Sequence, residues 1–570
     1  MFTPLAFTKT YAMAASAVLA ITLVPVLMGY FVRGRIPREN ENPVNRWLSR
    51  LYLPSLEFVL DHPRSVVLLG GLIAVIGVWP LTKMGSEFIP PLDEGDLMYM
   101  PTTYPGLSVG KAREILQQTD RLISTVPEVE SVFGKVGRAE TATDPAPLTM
   151  IETFIQLKPR EAWREGMTTE TLKRELNQLV NFPGLTNAWV MPIKTRIDML
   201  ATGIKTPVGI KVAGPDLSGI SKIGLEIEAI LEGVPGTASV YSERVSSGRY
   251  IKVDIRRDRA ARYGLSVADI QQVVATAVGG MNVSQAVEGV ERYPINIRYP
   301  QSYRNSPEQL ALLSIVTRSG QNVALGDVAT VYIDSGPPVI KSEDARLNGW
   351  TYVDLEGSDI GGYVSAARQV LAAELVLPPG YSLTWSGQYE YMLRVQERLA
   401  LVVPLTLGLI LLLLYLNFRS LVEVAMIALT LPLALAGGSW CVYVLGYNFS
   451  VAVGVGFIAL AGLAAEIGVI MLVYLNQAHE RGVSGASDLG TSGVSDLARE
   501  AVLAGAGQRM RPVIMTSASV VIGLLPILFG TGTGGEVMSR IAAPMVGGML
   551  SAAVLTLLVL PALFYLWKRP

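Results

Sequence analysis

Seven long apolar segments constrain this chain more than any other feature of its sequence. They lie at roughly 10–32, 65–84, 397–416, 421–446, 450–475, 513–530 and 541–567. These lengths are close to the roughly 20 residues that an α-helix needs to cross a bilayer. Charged residues are 17% of the chain, against about 25% in soluble domains. The sequence therefore predicts a membrane α-helical bundle of seven spans, with the stretch 85–396 outside the bilayer.

Two connecting segments are rich in arginine, which predicts the side of the membrane that each occupies. These arginines are Arg33, Arg35, Arg38, Arg46, Arg50 and Arg64 in the first, and Arg481, Arg499, Arg509 and Arg511 in the second. Short arginine-rich loops stay in the cytoplasm, so we expect 33–64 and a loop at 476–512 there, and 85–396 on the other side. Residues 45–60 mix apolar residues and arginines in a spacing that favours an amphipathic helix in the cytoplasmic interface; the alternative is an ordinary polar loop.

Composition excludes several classes of function. The net charge is −1, which leaves no field to hold nucleic acid. One cysteine, Cys441, and two histidines, His62 and His479, exclude a disulfide framework and a Cys/His zinc site. The sequence contains no G-x-x-x-x-G-K-[ST] loop, so we do not expect ATP to drive it.

The stretch outside the membrane repeats one order of elements. Strands are predicted at 97–102, 129–136, 148–157 and 186–191, and helices at 109–124 and 168–181. This order, βαββαβ, is that of a ferredoxin-like α+β sandwich. A second unit has predicted strands at 207–212, 238–242, 351–355 and 382–385, and helices at 220–232 and 364–373. An insertion at about 256–334, with a helix at 267–277, interrupts the second unit.

Glu466 is the most informative single residue. It lies in the apolar segment 457–474 among small residues such as Gly462, Ala465 and Gly468. A charged carboxylate inside a bilayer costs roughly 2.5–3.5 kcal/mol on insertion scales, so such a residue is rarely accidental. Glu466 is therefore predicted to carry protons. The alternative is a structural hydrogen bond between helices.

The methionines suggest a metal site by the chemistry they offer. The chain has 19 methionines, and any single one is most often a filler of the core. A thioether is, however, a soft neutral ligand that selects Cu(I) or Ag(I). With one cysteine and two histidines, both placed in cytoplasmic loops, this chain could bind such an ion only through methionine.

Five motifs resemble those of the RND efflux transporters, and in particular their heavy-metal branch of copper/silver type. They are Phe418–Gly438 (FRSLVEVAMIALTLPLALAGG), Gly456–Glu466 (GFIALAGLAAE), Gly530–Met545 (GTGTGGEVMSRIAAPM), Arg196–Lys205 (RIDMLATGIK) and Gly134–Asp144 (GKVGRAETATD). The resemblance implies a homotrimeric, proton-driven pump of the cell inner membrane, which is a secondary active transporter rather than an enzyme. Such a pump passes Cu(I) or Ag(I), as transported ion rather than cofactor, to a periplasmic adaptor and an outer-membrane channel.

The resemblance also implies roles for individual residues. Three methionines that hold the ion in the periplasmic cleft of the family match Met100, Met150 and Met199. The charged residues near that site match Asp144, Glu152, Arg196 and Lys205, and the methionines that relay the ion match Met13, Met28 and Met538. Glu466 matches a carboxylate of the proton relay. Two positions depart from the family: Val513 replaces a relay lysine, and Asn282 replaces an outer relay methionine.

The predicted division of the chain follows from these segments and the resemblance. It comprises a span at 1–32, a cytoplasmic loop at 33–64, a span at 65–84, and five spans within 395–570. Between them lie one periplasmic porter subdomain at 85–205, a second at 206–255 and 335–390, and a docking subdomain inserted at 256–334.

The resemblance covers only about the second half of a family member. We therefore expect a C-terminal half, from a split gene, a truncated frame or an incomplete gene model, working with an N-terminal half if the pump is split. Two other functions stay open. A drug-efflux pump of the same fold would line its cleft with aromatic residues, and a truncated docking protein would not transport.

Overall fold

The structure is a computed structural model that describes residues 2–32, 43–90, 92–137, 147–486, 494–530, 532 and 534–568. In chain order, its helices are α1 (Phe2–Phe31), α2 (Pro43–Asp61), α3 (Pro63–Val78), α4 (Val109–Ile123), α5 (Thr169–Leu179), α6 (Pro192–Thr202), α7 (Leu217–Leu231), α8 (Arg257–Arg262), α9 (Val267–Val274), α10 (Pro307–Ala311), α11 (Leu325–Val328), α12 (Ile360–Glu374), α13 (Gln388–Phe418), α14 (Leu421–Val444), α15 (Val451–Ala486), α16 (Val494–Leu528) and α17 (Gly535–Lys568).

The strands all lie between α3 and α13. They are β1 (Leu97–Tyr99), β2 (Thr102–Thr103), β3 (Val129–Lys135), β4 (Glu152–Leu157), β5 (Leu185–Thr186), β6 (Trp189–Val190), β7 (Val208–Gly214), β8 (Thr237–Ser242), β9 (Gly248–Ile255), β10 (Met281–Glu288), β11 (Glu291–Ile297), β12 (Ser314–Val316), β13 (Asn322–Ala324), β14 (Ala329–Gly336), β15 (Lys341–Glu343), β16 (Arg346–Leu355) and β17 (Ser382–Gly387).

Within the described residues, seven helices are long and apolar enough to cross a membrane, and they match the seven predicted segments. They are α1, the α3 region, and α13 to α17. The predicted loop at 476–512 is wrong for its described residues, because α15 continues to Ala486 and α16 already begins at Val494. Polar residues end an apolar segment without ending a helix, and the alanine- and leucine-rich stretch 497–506 favours helix. Arg499, Arg509 and Arg511 therefore lie on α16.

The bundle is built around α17, which packs against α3, α14, α15 and α16. Small residues allow this close approach, as is usual between helices in membranes. A Cβ atom at Gly77 of α3 would lie 2.3 Å from the Cβ of Ala436 on α14. The Ser439 hydroxyl then donates a hydrogen bond of 2.6 Å to the Gly77 carbonyl. Helix α1, in contrast, is solvent-exposed at every residue whose side chain is described.

Helix α2 confirms the helix predicted at 45–60. One face packs against α16 and α17, where the Tyr52 hydroxyl donates a hydrogen bond of 2.9 Å to the Leu557 carbonyl. Trp47, Leu51 and Phe58 lie on another face and are more than 60% exposed. A second exposed apolar face is typical of a helix that lies in a membrane interface.

The first α/β unit has a four-stranded antiparallel sheet in the order β3-β4-β1-β6. When only these four strands are numbered along the chain, they lie in the order second, third, first, fourth. Helices α4 and α5 pack their apolar residues, including Ile123, Leu172 and Leu176, against one face of the sheet. The predicted strand 97–102 is shorter than expected, because Met100 and Pro101 separate β1 from β2, and β2 pairs with β5 instead.

The second α/β unit repeats the same strand order. Strand β16 pairs with β8 and β7, and β7 pairs with β17. When β7, β8, β16 and β17 are numbered along the chain, they again lie in the order second, third, first, fourth. The short strand β15 also pairs with β16. Helices α7 and α12 supply its core with Met392 of α13. Between β8 and β16, a ribbon of β9 and β14 joins the unit to the inserted elements α8 to α11 and the hairpins β10–β11 and β12–β13.

Candidate metal-binding site

Strand β1 separates two different environments. Leu97 and Tyr99 point into the core formed with α4 and α5. Side chains alternate along a strand, so Met98 lies on the opposite face. Met98 pairs across the sheet with Phe154 of β4 and Val190 of β6. This second face of the sheet carries the candidate site.

Met150 enters the same face from the stretch just before β4. It forms an isolated antiparallel bridge with Thr102, and its N–H donates to the Pro147 carbonyl over 3.0 Å. Phe154 lies further along β4 and stacks on Phe133 of β3 with ring centroids 5.0 Å apart. The loop before β4 and the strand itself thus bring one thioether and one aromatic ring to this face.

Helix α6 covers the site, and the sequence analysis missed it. Pro192 occupies its first turn, and Gly203 ends it with a left-handed φ of 80°, which are common signals of a helix start and stop. The Glu94 carboxylate accepts hydrogen bonds of 2.7 and 2.8 Å from the N–H groups of Ile193 and Lys194. A proline followed eleven residues later by a glycine could have revealed this helix.

The three predicted metal ligands come together. Met98 and Met100 are fully buried beside Val190. Met150, Phe154 and Met199 are partly buried and pack against these three residues in one cluster. Below we call Met98, Met100, Met150 and Met199 the methionine cluster. Met100 comes from the end of β1 and Met199 from α6, so residues about 100 positions apart form a single site. The roles of these residues as ligands stay predictions.

Charged side chains surround the cluster. Glu152 is buried, and its Oε2 lies 3.0 Å from Lys135 Nζ and 3.1 Å from a guanidinium nitrogen of Arg196. Its Oε1 has no hydrogen-bond partner among the described residues. Lys135 had no predicted role. Asp144 lies outside the described residues.

Lys205 touches a predicted ligand through the backbone. Its ammonium group donates a hydrogen bond of 3.0 Å to the Met100 carbonyl and another to the Thr102 hydroxyl. Burial lowers the pKa of Lys205 to about 8, although acidic neighbours led by Glu243 oppose this. The lysine therefore anchors the segment between β1 and β2, where Met100 lies.

The other predicted site residues lie elsewhere. Met13 and Met28 are exposed on α1, and Met538 is exposed near the start of α17, so none belongs to the methionine cluster. Asn282 lies on the exposed hairpin β10–β11, and Val513 is buried on α16.

Glu466 lies on an exposed face of α15, in line with Ile458 and Gly462. In the part of the chain that the structure describes, no hydrogen bond or ion pair joins it to another residue. The predicted structural hydrogen bond between helices is therefore not formed with these residues.

Known proteins are similar to this chain in sequence and in fold. The chain is 51% identical over 566 residues to the cation efflux system protein CusA of Escherichia coli. The matched region covers 99% of this chain and 54% of CusA. It is 33% identical over 577 residues to the cobalt-zinc-cadmium resistance protein CzcA of Cupriavidus metallidurans, covering 100% of this chain and 53% of CzcA. The chain thus spans about half the length of the curated relatives it matches.

A solved structure and a family model agree with these relatives. A crystal structure of a heavy metal efflux pump matches with a TM-score of 0.86 and 29% identity, over 100% of this chain and 56% of that pump. The model described as the AcrB/AcrD/AcrF family matches residues 1–568. The predicted resemblance is therefore confirmed, and this chain belongs to the AcrB/AcrD/AcrF family of RND transporters.

Proposed function

We propose that this chain is a component of a proton-driven pump that exports Cu(I) or Ag(I) across the cell envelope. The observation that carries this proposal is the methionine cluster, because buried thioethers on one face of a sheet offer a soft, neutral site. Such a site selects soft monovalent ions. CusA, a cation efflux protein by name, is among the relatives at 51% identity.

The donor set favours these ions over zinc or cobalt. Zinc sites in proteins use imidazole, thiolate or carboxylate ligands. Among the described residues, no group of three or more histidine, cysteine, aspartate or glutamate side chains could hold a metal ion. The buried carboxylate of Glu152 is already paired with Lys135 and Arg196. Because these two cations already balance its charge, Glu152 is not proposed as a ligand of the bound ion.

The two α/β units are proposed to be periplasmic porter subdomains, and the elements at 256–334 a docking subdomain. The inner membrane is the proposed location, with α1, α3 and α13 to α17 as the spans. Membership of the family supports a homotrimer that works with a periplasmic adaptor and an outer-membrane channel. Arginines on α2 and α16 favour the cytoplasmic side for those helices.

Glu466 is proposed to carry the protons that drive export. It lies at the centre of an apolar helix on an exposed face, where a carboxylate is costly without a partner. A facing carboxylate or cation would lower that cost and create two protonation states that transport could use. In the proposed pump, this partner comes from helices that pack on that face of α15.

Binding of Ag(I) to the purified full chain tests the proposed site. Thioethers do not take up protons in this range, so the affinity is expected to stay within about threefold between about pH 5.5 and about pH 7.0, unlike that of Cys or His sites. Met150→Leu should weaken binding at least about tenfold. Met167→Leu is the matched control, because Met167 packs in the core with α4 and α5 on the other side of the sheet.

Two results would contradict the proposed site. One is a tenfold or larger loss of Ag(I) affinity at the acid pH, which would point to ligands that protonate. The other is an affinity that Met150→Leu and Met167→Leu leave equally unchanged, which would place the bound ion elsewhere.

A further inference from the structure

We infer that Met98 is a fourth thioether ligand of the metal site, an inference that rests on the proposed function. The three ligands implied by the family resemblance are Met100, Met150 and Met199. Met98 shares their cluster and has no other assigned role. Its position, its burial and its neighbours each support the inference.

The strand geometry brings Met98 next to Met100. The two residues are separated by one position, so their side chains lie on the same face and their Cα atoms are about 7 Å apart in extended chain. The Met100 N–H donates to the Ala188 carbonyl over 2.9 Å, which continues the pairing between β1 and the segment of β6. Two long thioether side chains that start this far apart can converge on one ion between them.

Met98 packs in the same cluster as the three implied ligands. Met98 is 1% exposed, and its two cross-strand partners, Phe154 and Val190, belong to the same cluster. The core of α4 and α5 lies on the other face of the strand, with Leu97 and Tyr99. Apart from Phe154 and Val190, the cluster therefore consists of methionines.

The chemistry of the ion favours use of a fourth donor. Cu(I) and Ag(I) have filled d shells, so the number of ligands follows the number of donors within reach rather than an electronic preference. Thioethers carry no charge, so a fourth one adds no repulsion and releases no proton. Methionine has three rotatable bonds and adapts its shape easily. We expect four sulfur ligands, two from β1 and its extension, one from the loop before β4 and one from α6.

X-ray absorption of the full chain loaded with one equivalent of Cu(I) tests this inference. The wild-type chain should show about four sulfur neighbours, and Met98→Leu about three. Competition with a chromophoric Cu(I) chelator should show affinity about tenfold or more lower in Met98→Leu. Leucine has a similar volume, so the fold should persist, and the thermal unfolding midpoint without metal checks this.

Met191→Leu is the matched control. Met191 lies just before α6 but packs in the core with α4 and α5, so its loss should leave the sulfur count and the affinity unchanged. If Met150→Leu weakens Cu(I) binding while Met98→Leu behaves like Met191→Leu, the fourth ligand is refuted and the proposed function stands. If the wild-type chain binds no Cu(I) or Met150→Leu has no effect, both are refuted.

Discussion

Burial changes the pKa of a single carboxyl group, that of Asp354 on β16. Burial raises the pKa of this carboxyl from 3.8 to about 6, although the Leu355 N–H and the charges of Lys173 and Lys205 oppose the shift. Between these values the folded chain binds a proton that the unfolded chain has released. The free energy of unfolding therefore falls as the pH rises from about 4 to about 6.

We predict that Asp354→Asn removes this loss of stability. Asparagine keeps the shape and does not ionise, so the variant should match the wild type near pH 4 and exceed it near pH 7, by on the order of 1 kcal/mol. Thermal unfolding of the detergent-solubilised chain at both pH values measures the difference. Glu356→Gln, at an exposed site two residues away, is the control, and an equal gain in both variants would contradict the prediction.

At the scale of the element, the packing of helices in the bundle depends on single glycines at their contacts. Gly77 and Gly71 both lie on α3. A Cβ atom at Gly77 would overlap Ala436 of α14, whereas one at Gly71 would meet nothing within 4 Å. The overlap involves the backbone of Ala436 as well as its side chain, so rotation of a side chain cannot relieve it.

We predict that Gly77→Ala separates α3 from α14 and destabilises the chain by about 1–3 kcal/mol, the usual cost of overpacking. It should also lengthen the hydrogen bond from Ser439 to the Gly77 carbonyl. Gly71→Ala should be neutral or slightly stabilising, because alanine favours helix more than glycine does. Unfolding in mixed micelles measures both variants. Equal midpoints for the two would show that α3 and α14 are not packed as described.

At the scale of the whole molecule, the proposed metal site and the proposed proton carrier lie in different parts of the chain. The methionine cluster belongs to the first α/β unit, and Glu466 lies on α15 of the bundle. In the proposed pump, coupling between them must therefore act through a change of conformation rather than through contact. The exposed face of α15 leaves Glu466 without a partner among the described residues.

We predict that proteoliposomes with this chain alone show no Ag(I) flux driven by a pH gradient. Co-reconstitution with a chain that supplies the facing helices should restore the flux, and Glu466→Gln should abolish it again with Ag(I) affinity unchanged within about twofold. Glu480→Gln, at the exposed end of the same helix, should retain it. Strong flux from this chain alone, or from the restored pump with Glu466→Gln, would contradict the prediction.

Properties that depend on neighbouring residues could be predicted from the sequence. Seven spans and helix α2 follow from apolar length and spacing, because crossing or lying on a bilayer is a requirement on each segment by itself. The alternation of strands and helices in 85–396 is also a local pattern. The extensions of α15 to Ala486 and of α16 back to Val494 were missed because charge, which ends an apolar segment, does not end a helix.

The candidate site could be described only from the sequence motifs and the tertiary structure together. Motifs that resemble those of the family implied Met100, Met150 and Met199, and the sequence alone could not distinguish Met98 from a core residue. Only tertiary structure brings these side chains together, because the strand order places β1 between β4 and β6 and α6 over the same face. The pairing of Glu152 with Lys135 and Arg196, and the outward position of Glu466, have the same origin. They depend on contacts between distant segments, which no local pattern of residues specifies.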